Sequence, residues 1–190
     1  MKFHSTFLTA AFVFLLVVIT SGCQRNEGVQ AVNDGSLEKD ALLSDRDFLI
    51  AAEKAEVKEQ SLSQAAWDRA QSAEVKEYAQ SVIDNHAQSL QELRDLMNRK
   101  GVSQPPSVPE ARIEGAYRLD SLSGSPAFDH EYISLMAAET QQAVTRLKRA
   151  EETSGDPDVR AYAHAFLPVL EREQGKAAEL ERKLAKQPGQ

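Results

Sequence analysis

The segment that decides the fold is residues 156–184, which read DPDVRAYAHAFLPVLEREQGKAAELERKL. Its apolar residues recur at steps of three and four positions, the spacing that lines one face of an α-helix. This apolar row consists of Val159, Ala163, Phe166, Leu170, Ala177, Leu180 and Leu184. Glu173 occupies a position of the same row where a core residue is expected. The pattern therefore predicts an amphipathic helix that directs one carboxylate toward the interior of a bundle.

Apolar rows of the same period predict three more long helices earlier in the chain. Helix one is expected to begin at Ser44, whose hydroxyl can cap its first turn, and to end near Arg69. Helix two follows a second cap at Ser72, and helix three begins at Ser125. Between helices two and three, residues 101–125 are rich in Pro and Gly. We therefore predict an all-α, ferritin-like four-helix bundle with one long crossover between helices two and three.

The charge and the motifs of the chain exclude several classes of function. The formal net charge of -7 argues against nucleic acid as a partner, because nucleic acid attracts Lys and Arg. The sequence shows no serine-nucleophile motif, phosphate-binding loop, haem-attachment motif or zinc-finger spacing. We therefore expect a protein that binds or supports other molecules more readily than an enzyme.

The N-terminus has the pattern of a bacterial secretion signal. Lys2 precedes an apolar run from residue 7 to residue 19, which is shorter than the roughly 20 residues that span a bilayer. The run is followed by Thr20-Ser21-Gly22-Cys23, which resembles a lipobox, and Cys23 is the single cysteine of the chain. This pattern predicts cleavage before Cys23 and lipidation of its thiol. An ordinary cleaved signal with a leftover Cys, or an uncleaved short anchor, remains an alternative.

The chain is thereby divided into three predicted parts. Residues 1–22 form a lipoprotein signal peptide, residues 23–43 a flexible tether, and residues 44–186 the four-helix bundle. The lipobox resemblance implies transfer to the outer membrane, because Gln24 and not Asp follows the cysteine. We expect an outer membrane lipoprotein of the cell envelope that faces the periplasm and contacts the membrane through its N-terminal lipid. The sequence identifies no protein partner.

One polar residue interrupts the apolar row of each predicted helix. These residues are Glu59, His86, Thr140 and Glu173, with Glu139 as an alternative to its neighbour Thr140. Counting from the hairpin turns places Glu59 and His86 within roughly 4 to 5 Å of one another along the bundle axis. The same count gives a similar offset for Thr140 and Glu173. The relative shift of the two hairpins is not fixed by this count.

Two interpretations of this polar layer remain open. The side chains can form a hydrogen-bonded layer that fixes the register of the helices. Alternatively, carboxylate and imidazole groups from facing helices can hold a divalent metal in the core. The di-iron pattern of Glu followed three residues later by His is absent, because Ile83 precedes His86 at that spacing. The expected function is therefore a non-enzymatic binding or structural module; the alternative is a ferritin-like metal-binding or redox protein.

Several short motifs distributed over all four helices resemble one known family. They are Asp47-Phe48 and Glu59, Ala79 and Asn85-His86, Phe128-Asp129 with Tyr132, and Leu167-Pro168 with Leu170. Together they are similar to the bacterial domain of unknown function 4142, whose members are often labelled outer membrane proteins, over residues 44–184. The resemblance implies a ferritin-like bundle with an acid in helix one and a histidine in each other helix. Thr140 and Glu173 replace two of those histidines, so the resemblance supports the fold and location more than a metal role.

Overall fold

The computed structural model describes residues 34–105, 113 and 115–186, with side chains from residue 44 onward. The predicted signal peptide and the lipidation site at Cys23 lie outside these residues. The described part is all-α, as predicted, and contains no strand. Its helices are α1 (Asp34–Arg69), α2 (Ala73–Arg99), α3 (Ala116–Ser121), α4 (Pro126–Thr153) and α5 (Pro157–Leu184). Of these helices, none is long and apolar enough to cross a membrane.

The four long helices form a bundle in which α1 and α5 each pack against α2 and α4. The start of α4 lies beside the α1–α2 turn, because Asp129 accepts backbone hydrogen bonds from Gln71 (3.0 Å) and Ser72 (2.7 Å). At the opposite end, Lys100 after α2 lies 2.6 Å from Asp156 in the α4–α5 turn. Helices α2 and α4 therefore run in the same direction, and their connection must return along the whole bundle. This is the predicted ferritin-like connectivity.

Local capping interactions set the ends of the helices. The Ser72 hydroxyl accepts a hydrogen bond from the Val75 amide (3.4 Å), as the sequence predicted. Gly101 follows α2 with φ of 66°, a left-handed conformation that costs glycine little. The Asp156 carboxylate accepts a hydrogen bond from the Asp158 amide (2.8 Å) at the start of α5. The α1–α2 turn, the end of α2 and the α4–α5 turn are thus each stabilised by residues of the turn itself.

Helix α1 begins at Asp34, ten residues before the predicted start at Ser44. Ser44 therefore lies inside α1 and does not cap it, and residues 34–43 of the predicted tether are helical. The physical reason is the composition of residues 37–43, LEKDALL, in which Leu, Glu, Lys and Ala have high helix propensity. The predicted boundary at residue 44 is wrong in this respect. The remaining tether residues, 23–33, lie outside the described residues.

In the described part of the crossover, a short helix, α3, lies against the end of the bundle where α4 begins. Leu119 of α3 is fully buried, and Arg69 at the end of α1 pairs with Asp120. Gly115 precedes α3 with φ of 92°, and a Cβ there would lie 2.9 Å from a methyl group of Leu135. The left-handed backbone conformation therefore favours glycine at this position, and any larger residue would also require the Leu135 side chain to shift.

The apolar core is divided into two clusters along the bundle axis. One cluster, toward the α4–α5 turn, includes Leu93 and Leu170. The other, toward the α1–α2 turn, includes Leu62 and Met136. On each long helix the polar residue named in the sequence analysis lies between members of the two clusters. The polar layer therefore crosses the middle of the core with apolar packing on both sides.

We expect Asp129→Ala to reduce the free energy of unfolding by about 1 to 2 kcal/mol, the usual loss for a helix cap. The substitution leaves the Gln71 and Ser72 amides without their acceptor. Urea denaturation of the full-length protein in detergent measures the effect. The neighbouring exposed residue provides the control, since His130→Ala removes a side chain of similar size from solvent. Equal losses in the two variants would contradict this role of Asp129.

Candidate metal centre

Three side chains from three helices meet in the middle of the core. Nε2 of His86 lies 3.2 Å from an oxygen of Glu173 and 3.4 Å from an oxygen of Glu59. The three candidate ligand atoms all lie within 4.8 Å of one another, and all three residues are buried. Ligand atoms bound tetrahedrally to one divalent ion at about 2.1 Å are about 3.4 Å apart. The spacing of the cluster is therefore compatible with a single cation between the side chains.

The remaining two sequence candidates lie on α4 and differ in position. Thr140 is fully buried, whereas the Glu139 side chain is partly exposed and pairs with Lys58 (Nζ to Oε1, 2.9 Å). One residue along an α-helix corresponds to a rotation of about 100°, which separates these neighbours. Helix α4 thus contributes a hydroxyl group to the layer, and Glu139 is outside it.

Two neighbours orient two of the three clustered side chains, Glu173 and His86. Asn85 of α2 donates a hydrogen bond to Oε1 of Glu173 (2.9 Å), while Oε2 faces His86. The ring of Phe166 packs against the imidazole of His86 in an edge-on arrangement, with centroids 5.4 Å apart. The carboxylate of Glu173 therefore has one oxygen held by Asn85 and the other directed into the cluster.

A third acid, Glu56, lies on the side of the layer toward the α4–α5 turn and was not predicted from the sequence. Its Oε1 accepts hydrogen bonds from Ser89 (3.1 Å) and from the hydroxyl of Tyr162. Glu56 precedes Glu59 by three residues, and Ser89 follows His86 by three residues. This spacing places each of them on the same helix face as a residue that was identified. This three-residue spacing is the sequence signal by which Glu56 and Ser89 could have been predicted.

Hydroxyl groups line the opposite side of the layer. The hydroxyls of Ser63 and Tyr132 are hydrogen-bonded to each other (2.8 Å). The ring centroids of Tyr132 and Tyr78 are 6.1 Å apart. Within the described part of the chain, the hydroxyls of Tyr78 and Thr140 have no hydrogen-bond partner although both are buried. The acid cluster is thus enclosed by polar groups along the bundle axis, and two of those groups are unsatisfied.

Burial shifts the titration of the two α1 acids, Glu56 and Glu59, toward their neutral forms. Loss of solvent raises the pKa of Glu56 and of Glu59 to about 7, even though the charge of His86 acts in the opposite direction. Burial lowers the pKa of His86, but its hydrogen bond with Glu173 and the charge of Glu59 raise that pKa above its usual value overall. Among the described residues, neither oxygen of Glu59 has a hydrogen-bond partner.

A carboxylate in this position requires a proton or a cation. An ionised group in a low-dielectric core is costly unless another charge compensates it. The cluster offers two carboxylate oxygens and one imidazole nitrogen, a donor set that suits divalent ions of the first transition row. The unpartnered oxygens of Glu59 and the ligand spacing both fit such an ion.

In the metal-free protein, we expect the free energy of unfolding to fall as pH rises from about 4.5 to about 7. Folded Glu56 and Glu59, with pKa values of about 7, keep protons that the unfolded chain releases near the ordinary value of 4.5. Glu59→Gln removes one such group and should raise stability at pH 8 by about 1 to 3 kcal/mol. Urea denaturation with a chelator present provides the measurement.

The matched control for this pH series is Glu152→Gln, which removes an exposed carboxylate from α4. It should follow the wild-type curve at every pH. If Glu59→Gln also followed the wild-type curve, the carboxyl group of Glu59 would not be held neutral by burial in the folded protein.

Comparison with known proteins places the chain in a family and identifies a structural relative. No curated protein sequence is similar enough to match it. The crystal structure of a DUF305 fragment from Deinococcus radiodurans is similar, with a TM-score of 0.60 and 18% identity, over 76% of this chain and 97% of that chain. At this identity the likeness shows a shared fold alone. The sequence profile described as "Domain of unknown function (DUF4142)" matches residues 31–180 and confirms the predicted resemblance. The chain therefore belongs to the domain of unknown function 4142 family.

Proposed function

We propose that this protein is a lipid-anchored envelope protein whose bundle core binds one divalent transition-metal ion. The ligands are Glu59, His86 and Glu173, and the module acts by binding, without an enzymatic reaction of its own. One observation carries the proposal: both oxygens of buried Glu59 lack a hydrogen-bond partner among the described residues, beside an imidazole and a second carboxylate.

Binding of a cation accounts for more of the geometry than a purely structural polar layer does. A structural layer is stabilised by complete hydrogen bonding, and a partly satisfied one is less stable than an apolar core. Here Asn85 and His86 satisfy Glu173, whereas the oxygens of Glu59 make no hydrogen bond within the described ranges and have only a 3.4 Å contact with Nε2 of His86. A divalent ion would compensate both carboxylates at once and would leave the imidazole neutral as a nitrogen ligand.

Proton and metal would then compete for the same carboxylate. With a pKa of about 7, Glu59 is partly protonated at neutral pH, and a metal ion must displace that proton. Affinity should accordingly increase as pH rises, until the metal ions begin to hydrolyse. The site is thereby suited to hold an ion under neutral conditions and to lose it on acidification.

The proposed location rests on the N-terminal sequence. A short apolar run precedes small residues and Cys23, the arrangement of a lipoprotein signal. Helix α1 begins at Asp34, so residues 24–33 form the connection between the lipid-bearing cysteine and the first helix. The bundle would then be held close to the periplasmic surface of the outer membrane.

Full-length protein purified in detergent, loaded with Zn²⁺ and desalted, should retain one ion per chain by elemental analysis. His86→Ala and Glu173→Ala each remove a ligand and should weaken binding by about 100-fold or more, at least the loss that outer-shell changes produce. His164→Ala is the matched control, because it removes an exposed histidine from the same helix as Glu173.

Glu59→Gln separates metal binding from a purely structural role. It should abolish retention of Zn²⁺ while increasing the stability of the metal-free protein at pH 8, because the buried charge is removed. Wild-type protein that retains no Zn²⁺, Mn²⁺ or Fe²⁺ would contradict the proposal and would leave the layer with a structural role. Variants that retain metal equally with wild type would exclude these three residues as ligands.

We expect Cys23→Ser to abolish incorporation of radiolabelled palmitate in cells and to release the protein from the outer membrane fraction. The serine hydroxyl cannot accept the thioether-linked lipid that the lipobox pattern predicts. Ser21→Ala should leave labelling intact, because a small residue is retained before the cysteine. Equal labelling of the Cys23→Ser variant and wild type would disprove lipidation at this residue.

A further inference from the structure

The buried hydroxyl groups of Thr140 and Tyr78 lie on the side of the cluster where no charged ligand is found among the described residues. Thr140 is fully buried and Tyr78 is 3% exposed. Neither hydroxyl makes a hydrogen bond of standard geometry within the described residues, although the Thr140 hydroxyl lies close enough to that of Tyr78 to act on it as a hydrogen-bonding neighbour. Burial, together with the charges of Glu173 and Glu59, raises the pKa of Tyr78. Tyr78 therefore lies within the electrostatic reach of the carboxylate ligands, and Thr140 lies beside Tyr78.

The protein supplies an incomplete set of ligands for a divalent ion. Glu59, His86 and Glu173 are contributed by α1, α2 and α5, while α4 presents the neutral hydroxyl of Thr140 at this level of the core. Sites closed by four protein ligands hold their metal for structural purposes, whereas three protein ligands leave a position for water or another small molecule. The arrangement belongs to the second kind.

A cavity of about 330 Å³ between α2 and α5 leads to the ligand Glu173. Its walls consist of Glu77, Tyr78, Ser81, Asn85, Val169, Arg172, Glu173 and Lys176. The wall therefore includes one ligand, the residue that orients it, and one of the unsatisfied hydroxyl-bearing side chains. Charged side chains of both signs line the cavity: Arg172 and Lys176 are opposite in charge to Glu77, and Lys176 also pairs with Glu179 (3.4 Å).

We propose that the bound cation carries an exchangeable fourth ligand, water or a small inorganic anion, which Thr140 and Tyr78 hold by hydrogen bonds. The ligand exchanges with solvent through the cavity between α2 and α5. This inference rests on the proposed metal site and adds to it a binding subsite with two named residues. Exchange replaces one metal-bound molecule by another, without a change in the oxidation state of the metal.

Glu56 is the competing occupant of the open position. Its Oε2 has no hydrogen-bond partner within the described ranges, and a rotation could bring it toward the cation. Its Oε1, however, is held by Ser89 and Tyr162, which lie on the side of the layer away from Tyr78. Movement toward the metal would break both hydrogen bonds. The geometry therefore favours an external ligand over Glu56.

The test uses full-length protein loaded with Co²⁺, whose visible absorption changes when its coordination changes. Titration with azide should give a saturable spectral change in the wild type. Tyr78→Phe and Thr140→Val should each weaken azide binding about tenfold, the effect of losing one hydrogen bond at about 1.4 kcal/mol. Tyr117→Phe, at a tyrosine that is 80% exposed, is the matched control and should bind azide like the wild type.

Metal content and the azide response distinguish the possible failures. If the wild type takes up no Co²⁺, the proposed metal function is wrong and this inference is wrong with it. Uptake of Co²⁺ without an azide response contradicts only the open position. A response restricted to Glu56→Gln would show that Glu56 fills that position. Unchanged azide affinity in both Tyr78→Phe and Thr140→Val, with full Co²⁺ content, would exclude the two hydroxyls.

Discussion

The cost of placing carboxylates in an apolar core is the constraint on which the rest of this structure depends. A small domain has a net stability of about 5 to 15 kcal/mol, and one uncompensated buried charge can consume much of it. Glu56, Glu59 and Glu173 all lie in the middle of the bundle. The side chains around them reduce this cost: Asn85 supports one acid, and Ser89 supports another. Of these three acids, only Glu59 has no hydrogen bond to either oxygen within the described ranges, and this difference is the basis of the proposed cation site.

Division of the core into two apolar clusters makes this arrangement tolerable. Burial of apolar surface on both sides of the layer supplies the favourable free energy from which the polar layer subtracts. The layer is also the level at which three helices are linked by polar contacts, so the proposed cation site and the alignment of the helices depend on the same packing. A bound ion would therefore stabilise the folded chain by a free energy that grows with the logarithm of its concentration relative to Kd.

Most of the architecture could be predicted from periodicity, because each long helix buries a row of residues at three- and four-residue steps. Each long helix also packs against two others, so residues beside that row are buried as well, such as Ser89 on α2 and Leu49, Glu53 and Glu56 on α1. A single row therefore underestimates the inner face. Glu53 was beyond prediction because its partner, Arg94, is on another helix. The start of α1 was misplaced because a local cap signal was given more weight than the helix propensity of the preceding residues. The alignment of the polar residues of the two hairpins at one level of the bundle could not be predicted, because it depends on a contact between residues distant in sequence.

That contact is the pair of hydrogen bonds from the first turn to Asp129. It joins one end of the second hairpin to the first and so helps to fix the register of the two hairpins along the bundle axis. Glu59 and His86 belong to the first hairpin, and Glu173 belongs to the second. A slip of a single helical turn, about 5.4 Å, would carry Glu173 out of reach of the imidazole. One of the contacts that set the register of this polar cluster therefore lies about 18 Å away from it, at a turn that contains none of the three clustered residues.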